Sequence, residues 1–192
     1  MSNKNHTHIV FIMDCSGSMD GIYKPLQNAM HKMLEEQARK LAGYLTVDVN
    51  YFEEYLSRGP QDADPMTVHL GLWAGGGTNI HGPVLQVVNA LKEKIRQMPE
   101  DERPGHVVVV IMTDGYGGRS NHNTITAIAE QRAAGWDFAF LAAGEDAMNS
   151  ANLGLPPESM IYEKPDKQGV ERMAERLGGF VSMSRSGADA HF

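Results

Sequence analysis

A chain of 192 residues with 42% hydrophobic and 21% charged residues is long enough to bury a core and fits one soluble globular domain. Its formal net charge of −7 excludes a protein that tracks phosphate backbones, whose affinity comes largely from clustered Lys and Arg. A single cysteine, Cys15, excludes an internal disulfide and fits a reducing compartment.

The first apolar run, His8 to Met13, is β-branched and aromatic and predicts a buried strand that stops at a Ser/Gly-rich turn. Its core, Ile9–Met13, is too short for a secretory segment and is followed by acidic Asp14. No run approaches the roughly 20 apolar residues of a membrane helix. The expected location is the cytoplasm, without nucleic acid or membrane as partner.

Leu26, Met30, Met33, Leu34, Ala38 and Leu41 recur at helical spacing and predict an amphipathic helix over residues 22–42. Tyr44 to Phe52 alternates Leu45, Val47, Val49 and Tyr51, a strand with period two. After Pro60 and an acidic connection, a short strand is expected near Met66–Leu70. Too few residues intervene for a crossover helix, so it should pair antiparallel with the strand before it. Gly75-Gly76-Gly77-Thr78-Asn79 reads as a loop leading into a helix striped by Val84, Val88, Leu91, Ile95 and Met98.

His106 to Thr113 is nearly continuous valine, as in a strand covered on both faces. A helix near 122–134, a strand Trp136–Leu141, a short helix near 145–152, a strand near Met160–Tyr162 and a helix near 167–177 complete the pattern. The sum predicts an α/β protein: a doubly wound, Rossmann-like sheet of about six mostly parallel strands, one antiparallel edge strand, and helices on both faces. One domain is expected over residues 1–181, with the Ser-, Gly- and Ala-rich residues 182–192 as a flexible tail.

Chemistry gathers where strands end. The first strand closes in Asp14-Cys15-Ser16-Gly17-Ser18, three oxygen-bearing side chains at alternate positions in a turn. Carboxylate and hydroxyl oxygens suit a hard cation, and no Cys/His cluster offers a zinc site. The valine-rich strand ends in Met112-Thr113-Asp114-Gly115, and the glycine loop contributes Thr78. Ligands of doubly wound sheets bind outside the carboxyl ends of the strands, where strand order reverses. Asp14, Ser16, Ser18, Thr78 and Asp114 are thereby placed on loops at one edge.

Plainer readings exist for each. Asp14 or Asp114 alone could cap a turn or helix, and Thr78 could be a turn residue. The glycine loop lacks the Gly-Lys-[Ser/Thr] ending of a P-loop. Cys15 invites a nucleophile assignment, although a small buried residue suits a strand end better. His81, close in sequence to Thr78, could border the site or serve structurally.

The three dispersed motifs Asp14-Cys15-Ser16-Gly17-Ser18-Met19, Gly77-Thr78-Asn79 and Thr113-Asp114-Gly115 resemble the metal-ion-dependent adhesion site of the von Willebrand factor A family. Phe140-Leu141-Ala142-Ala143-Gly144-Glu145-Asp146-Ala147 is similar to the late region of compact, stand-alone bacterial and phage members. The resemblance implies that Ser16, Ser18 and Thr78 touch the metal while Asp14 and Asp114 act directly or through water. It implies Mg²⁺, with Mn²⁺ and Ca²⁺ as alternatives, and a non-catalytic module whose partner protein supplies an Asp or Glu carboxylate.

Some relatives work beside MoxR-type ATPases, and the chain itself would be a monomer or part of a hetero-complex. Two rival functions remain: a metal-assisted hydrolase or phosphatase with Asp14 as nucleophile, and a scaffold subunit whose metal is purely structural.

Overall fold

The computed structural model describes residues 2–40, 43–71, 73, 75–77, 79–114, 120–144 and 152–192. Ten regular elements follow in chain order: β1 (Asn3–Asp14), α1 (Tyr23–Lys40), β2 (Tyr44–Phe52), β3 (Leu56–Arg58), α2 (His81–Gln97), β4 (Pro104–Thr113), α3 (His122–Ala133), β5 (Asp137–Ala143), β6 (Met160–Glu163) and α4 (Lys167–Ser186). The strands form one six-stranded sheet in the order β3-β2-β1-β4-β5-β6. All neighbours are parallel except β2 and β3. The winding therefore reverses between β1 and β4, and this is the topological switch point of the sheet.

Strand alternation sorts the core into two layers. Ile9, Phe11 and Met13 of β1 share one face with Val108, Val110 and Met112 of β4, packed under Leu26, Met30 and Leu34 of α1 and Met173, Leu177 and Phe180 of α4. Val10 and Ile12 share the other face with Val107, Val109 and Ile111, covered by Val84, Val88 and Leu91 of α2 and Ile128 of α3. Because β1 and β4 are covered on both faces, their sequences are unbroken apolar runs rather than alternating ones.

Three expectations are corrected. The antiparallel edge strand is Leu56–Arg58, not Met66–Leu70. A tight reversal brings Leu56 opposite Phe52, while Val68 and Leu70 are anchors that an irregular connection drops into the core. The last helix does not stop near 177 but runs to Ser186. Gly178 and Gly179 do not break it, because Gly178 faces Met33 of α1 across a close helix contact where a Cβ would lie 3.4 Å from Met33 Cγ. Gly187, at φ 74°, ends it in the left-handed conformation.

The loose tail expected from residue 182 is corrected with it. Beyond the helix, the Phe192 N–H donates to the Glu158 carbonyl at 2.9 Å, and its ring lies 4.9 Å from that of Phe180. The short helix expected near 145–152 falls almost wholly outside the described residues. No described helix is long and apolar enough to cross a membrane.

Candidate metal centre

Asp14 is the last residue of β1, and Thr113 and Asp114 stand at the end of β4, so the two strands that flank the switch point deliver both carboxylates. Asp14 is fully buried. Its Oδ1 accepts the Ser16 N–H at 2.8 Å and its Oδ2 accepts the Thr113 hydroxyl at 2.5 Å. The first bond closes a local turn of the type Asp favours and swings Ser16 back over the strand end.

A short 3₁₀ turn, Gly17–Gly21, follows and aims Ser18 the same way. Ser16 Oγ and Ser18 Oγ lie 3.1 Å apart, and the Ser18 hydroxyl donates to Asp114 Oδ1 at 2.7 Å. Tyr23, at the start of α1, fixes the turn from below by donating its hydroxyl to the Ser16 carbonyl at 3.0 Å.

Four of the five predicted oxygen-bearing residues are thus joined by direct contacts. Thr78 lies outside the described residues. Residues around it are tied to the same edge: the Gly75 N–H donates to the Cys15 carbonyl at 3.0 Å, and the Asn79 N–H donates to the Glu53 carbonyl at 3.0 Å.

Electrostatics mark the site as short of positive charge. Burial raises the Asp14 carboxyl above the ordinary carboxylate range, against the hydrogen bonds from Thr113 and Ser16 that pull it down. Burial also raises Asp114, with the Asp14 charge adding to the effect and the Ser18 bond opposing it. Among the described residues no Lys or Arg forms an ion pair with either. A buried acid, Asp14, beside a half-buried one, Asp114, without a cation is costly unless an ion compensates them.

The donor set fits such an ion. Hard oxygens at 2.0–2.1 Å around an octahedral cation place adjacent ligands about 3 Å apart, and the observed separations are 3.1 and 2.7 Å.

Cys15 is not part of this chemistry. It is buried, and burial pushes its thiol up to about 11, so it carries no thiolate near neutrality. His81 is buried at the start of α2 with both ring nitrogens lacking a hydrogen-bond partner among the described residues, and burial lowers its pKa.

A second polar cluster sits six residues back along β1, about 20 Å from Asp14 by strand rise. His8 Nε2 lies 3.1 Å from Asp48 Oδ2. Lys94 Nζ reaches Asp48 Oδ2 at 3.1 Å and Asp62 Oδ1 at 2.6 Å. Ligand atoms of His8, Asp48 and Asp62 approach within 4.8 Å of one another, but the Lys94 ammonium already supplies the cation there. Burial of Asp48 opposes its ionisation, yet the His8 bond and charge, with Lys94 and the Asp62 N–H, hold it at about 2.

No family model matches the sequence, and neither does any curated protein. Solved structures do resemble it. Proximal thread matrix protein 1 from the mussel byssus, in a form with a zinc-occupied MIDAS motif, superposes with a TM-score of 0.61 at 15% identity, over 90% of this chain and 45% of that one. The ArnB paralog VWA2 from Sulfolobus acidocaldarius gives 0.61 at 14% identity, over 90% and 44%.

The chain has a von Willebrand factor A fold.

A further VWA-fold neighbour, the manganese-loaded TRAP protein of Plasmodium vivax, gives 0.55 at 14% identity over 89% and 72%. At such identities the likeness is one of fold. This VWA-fold chain spans less than half the length of the mussel and archaeal proteins.

Thr113, Tyr23 and Glu53 were not singled out as site residues from the sequence. Thr113 sits inside the Thr-Asp-Gly motif, and that adjacency was the only available signal of its bond to Asp14. Tyr23 and Glu53 gave none.

Proposed function

We propose that the chain is a metal-dependent protein-interaction module that binds a partner carboxylate at a Mg²⁺ or Mn²⁺ centre. The observation that carries this reading is the meeting of Asp14, Ser16, Ser18 and Asp114 at the switch point, joined by hydrogen bonds of 2.7 to 3.1 Å, with no compensating side-chain cation among the described residues. Ser16, Ser18 and Thr78 would hold the ion by their hydroxyls, and Asp14 and Asp114 would balance its charge.

The ion would supply an electrophilic position to which an Asp or Glu of the partner can bind in place of water. The chain's own residues do the rest. Thr113 and the Ser16 N–H fix both oxygens of Asp14, and Tyr23 fixes the Ser16 backbone, so the hydroxyls are preorganised toward one point. Metal-loaded MIDAS and manganese-loaded neighbours of the same fold support the reading.

The same bonds disfavour the hydrolase alternative. A nucleophilic carboxylate must present a free oxygen to substrate, whereas Asp14 is fully buried with both oxygens engaged.

The test is capture of partners by immobilised protein with Mg²⁺ and with chelator, wild type beside the Ser16→Ala/Asp114→Ala variant. Capture that needs both the metal and the intact site supports the module. Capture indifferent to chelator contradicts it.

A further inference from the structure

The starts of β4 and β5, at the sheet edge away from the candidate metal centre, border a cleft of about 710 Å³. That volume lies within the usual range for small-molecule sites. Asp137, the first residue of β5, pairs with Val108, which faces α4, so Asp137 projects toward α4 as well. Phe180 and Ser184 of α4, His106 of β4 and Glu158 line the cleft with it.

The chain after α4 completes the wall through residues 187–191. Both ends of this arch are fixed. The Ala188 N–H donates to the Met183 carbonyl at 3.1 Å and the Phe192 N–H to the Glu158 carbonyl at 2.9 Å, and Ala190 and Phe192 pack against the core. Midway, His191 Nδ1 donates to the Asp189 carbonyl at 2.9 Å.

The lining is acidic. It carries three carboxylates, Asp137, Glu158 and Asp189, against one guanidinium, Arg132. None of the three forms an ion pair with a described Lys or Arg. Arg132 is exposed and the weakest of the charges that shift Asp137. The last turn of α4 opens onto the same space, and the negative end of a helix dipole favours a cation there.

Inside the cleft, two oxygens face each other without a donor between them. The Ser184 hydroxyl stands close enough to Asp137 to pull its pKa down, against the burial that raises it. It stops short of a formed hydrogen bond: Ser184 is 1% exposed and its Oγ completes none among the described residues. A buried hydroxyl left this way is costly. An ammonium group has three N–H donors and no acceptor, so one such group could satisfy the carboxylate and the hydroxyl together.

We infer that this cleft binds a small organic cation bearing a primary ammonium, which Asp137 and Ser184 would hold, with Glu158 and Asp189 adding to its charge balance and its alkyl part against Phe180. The site is separate from the metal centre and does not depend on the metal reading.

The test is an amide chemical-shift titration of the full chain, metal-stripped, with n-pentylamine and 1,5-diaminopentane. 1-Pentanol and pentanoate serve as neutral and anionic counterparts of the same length. Both amines should produce saturable shifts at Asp137, Ser184 and Gly187, and the alcohol and the acid should not. Asp137→Asn should weaken amine binding about tenfold, the loss of one charge-assisted hydrogen bond. Because burial opposes the Asp137 charge, the asparagine variant is expected to fold, and its spectrum reports this directly. Glu158→Gln, at an exposed position, should give a smaller fall of the same sign.

Equal binding of 1-pentanol would mark an apolar slot without charge recognition and overturn the inference. So would amine shifts that spread over the acidic surface without saturating, or affinity unchanged in Asp137→Asn.

Discussion

The hydroxyl of Thr113, at the end of β4, donates to Oδ2 of Asp14, at the end of β1, across 2.5 Å. That bond spans the switch point of the sheet and joins the two motifs that supply its carboxylates. Asp14 has no exposure, so nothing in solvent can replace the donor.

Thr113→Val should therefore leave a buried carboxylate oxygen without its partner, at a cost of about 2 kcal/mol. Mg²⁺ affinity should fall as well, because Asp14 loses its fixed orientation. Urea unfolding of metal-free protein and a Mg²⁺ titration read the two effects separately. A variant with unchanged stability would show that the bond does not constrain Asp14.

Asp114 predicts a trade between stability and binding. Its folded-state pKa is raised, first by burial and then by the Asp14 charge. The folded state thus holds this proton more tightly than the unfolded chain. The metal-free protein should lose stability as pH rises from the unfolded carboxylate value through the raised folded one. Asp114→Asn removes that penalty and should melt at or above the wild-type temperature without metal.

With Mg²⁺ the order should reverse. At a hundredfold excess over Kd a bound ligand adds about 2.7 kcal/mol, roughly 5–10 °C in a chain of this size, and the variant should show none of it. Thermal melts at neutral pH, with and without Mg²⁺, check both halves.

The Lys94–Asp48–His8 cluster should matter to stability and not to metal binding. Asp48→Asn breaks a buried ion pair and should cost about 3 kcal/mol. Because Asp48 is held at about 2 in the fold, its contribution is present above the unfolded carboxylate value. It disappears as pH falls from about 4 through 2. Melts of wild type and variant should therefore converge in acid and separate toward neutrality, while their Mg²⁺ isotherms coincide.

Cys15 should be inert in the native state. Its thiol is buried and pushed up to about 11, so a thiol reagent at pH 8 should label it only after unfolding. Rapid labelling of folded protein would restore the nucleophile reading.

Much of this architecture was legible because burial writes itself into period. β1 and β4 announce themselves as apolar runs, and α1 and α2 as stripes. β3 did not, since Leu56-Ser57-Arg58 is a three-residue edge with no pattern to read. The extension of α4 was hidden by Gly178-Gly179, which resemble a stop, although Gly178 serves a close contact with α1 and Gly179 meets nothing. At the site, Asp14, Ser16, Ser18 and Asp114 were visible as oxygen donors at strand ends. Asp48 was not, because between Val47 and Val49 it looks like an ordinary solvent-facing position. Its charged partners His8 and Lys94 lie about 40 residues away in either direction.

The most direct test is isothermal titration of metal-stripped protein with Mg²⁺ and Mn²⁺, comparing wild type with Asp14→Ala and Asp48→Asn. A single site that survives in Asp48→Asn and is lost in Asp14→Ala is the predicted result. Absence of binding in the wild type, or binding that persists in Asp14→Ala, would contradict a metal centre at the switch point.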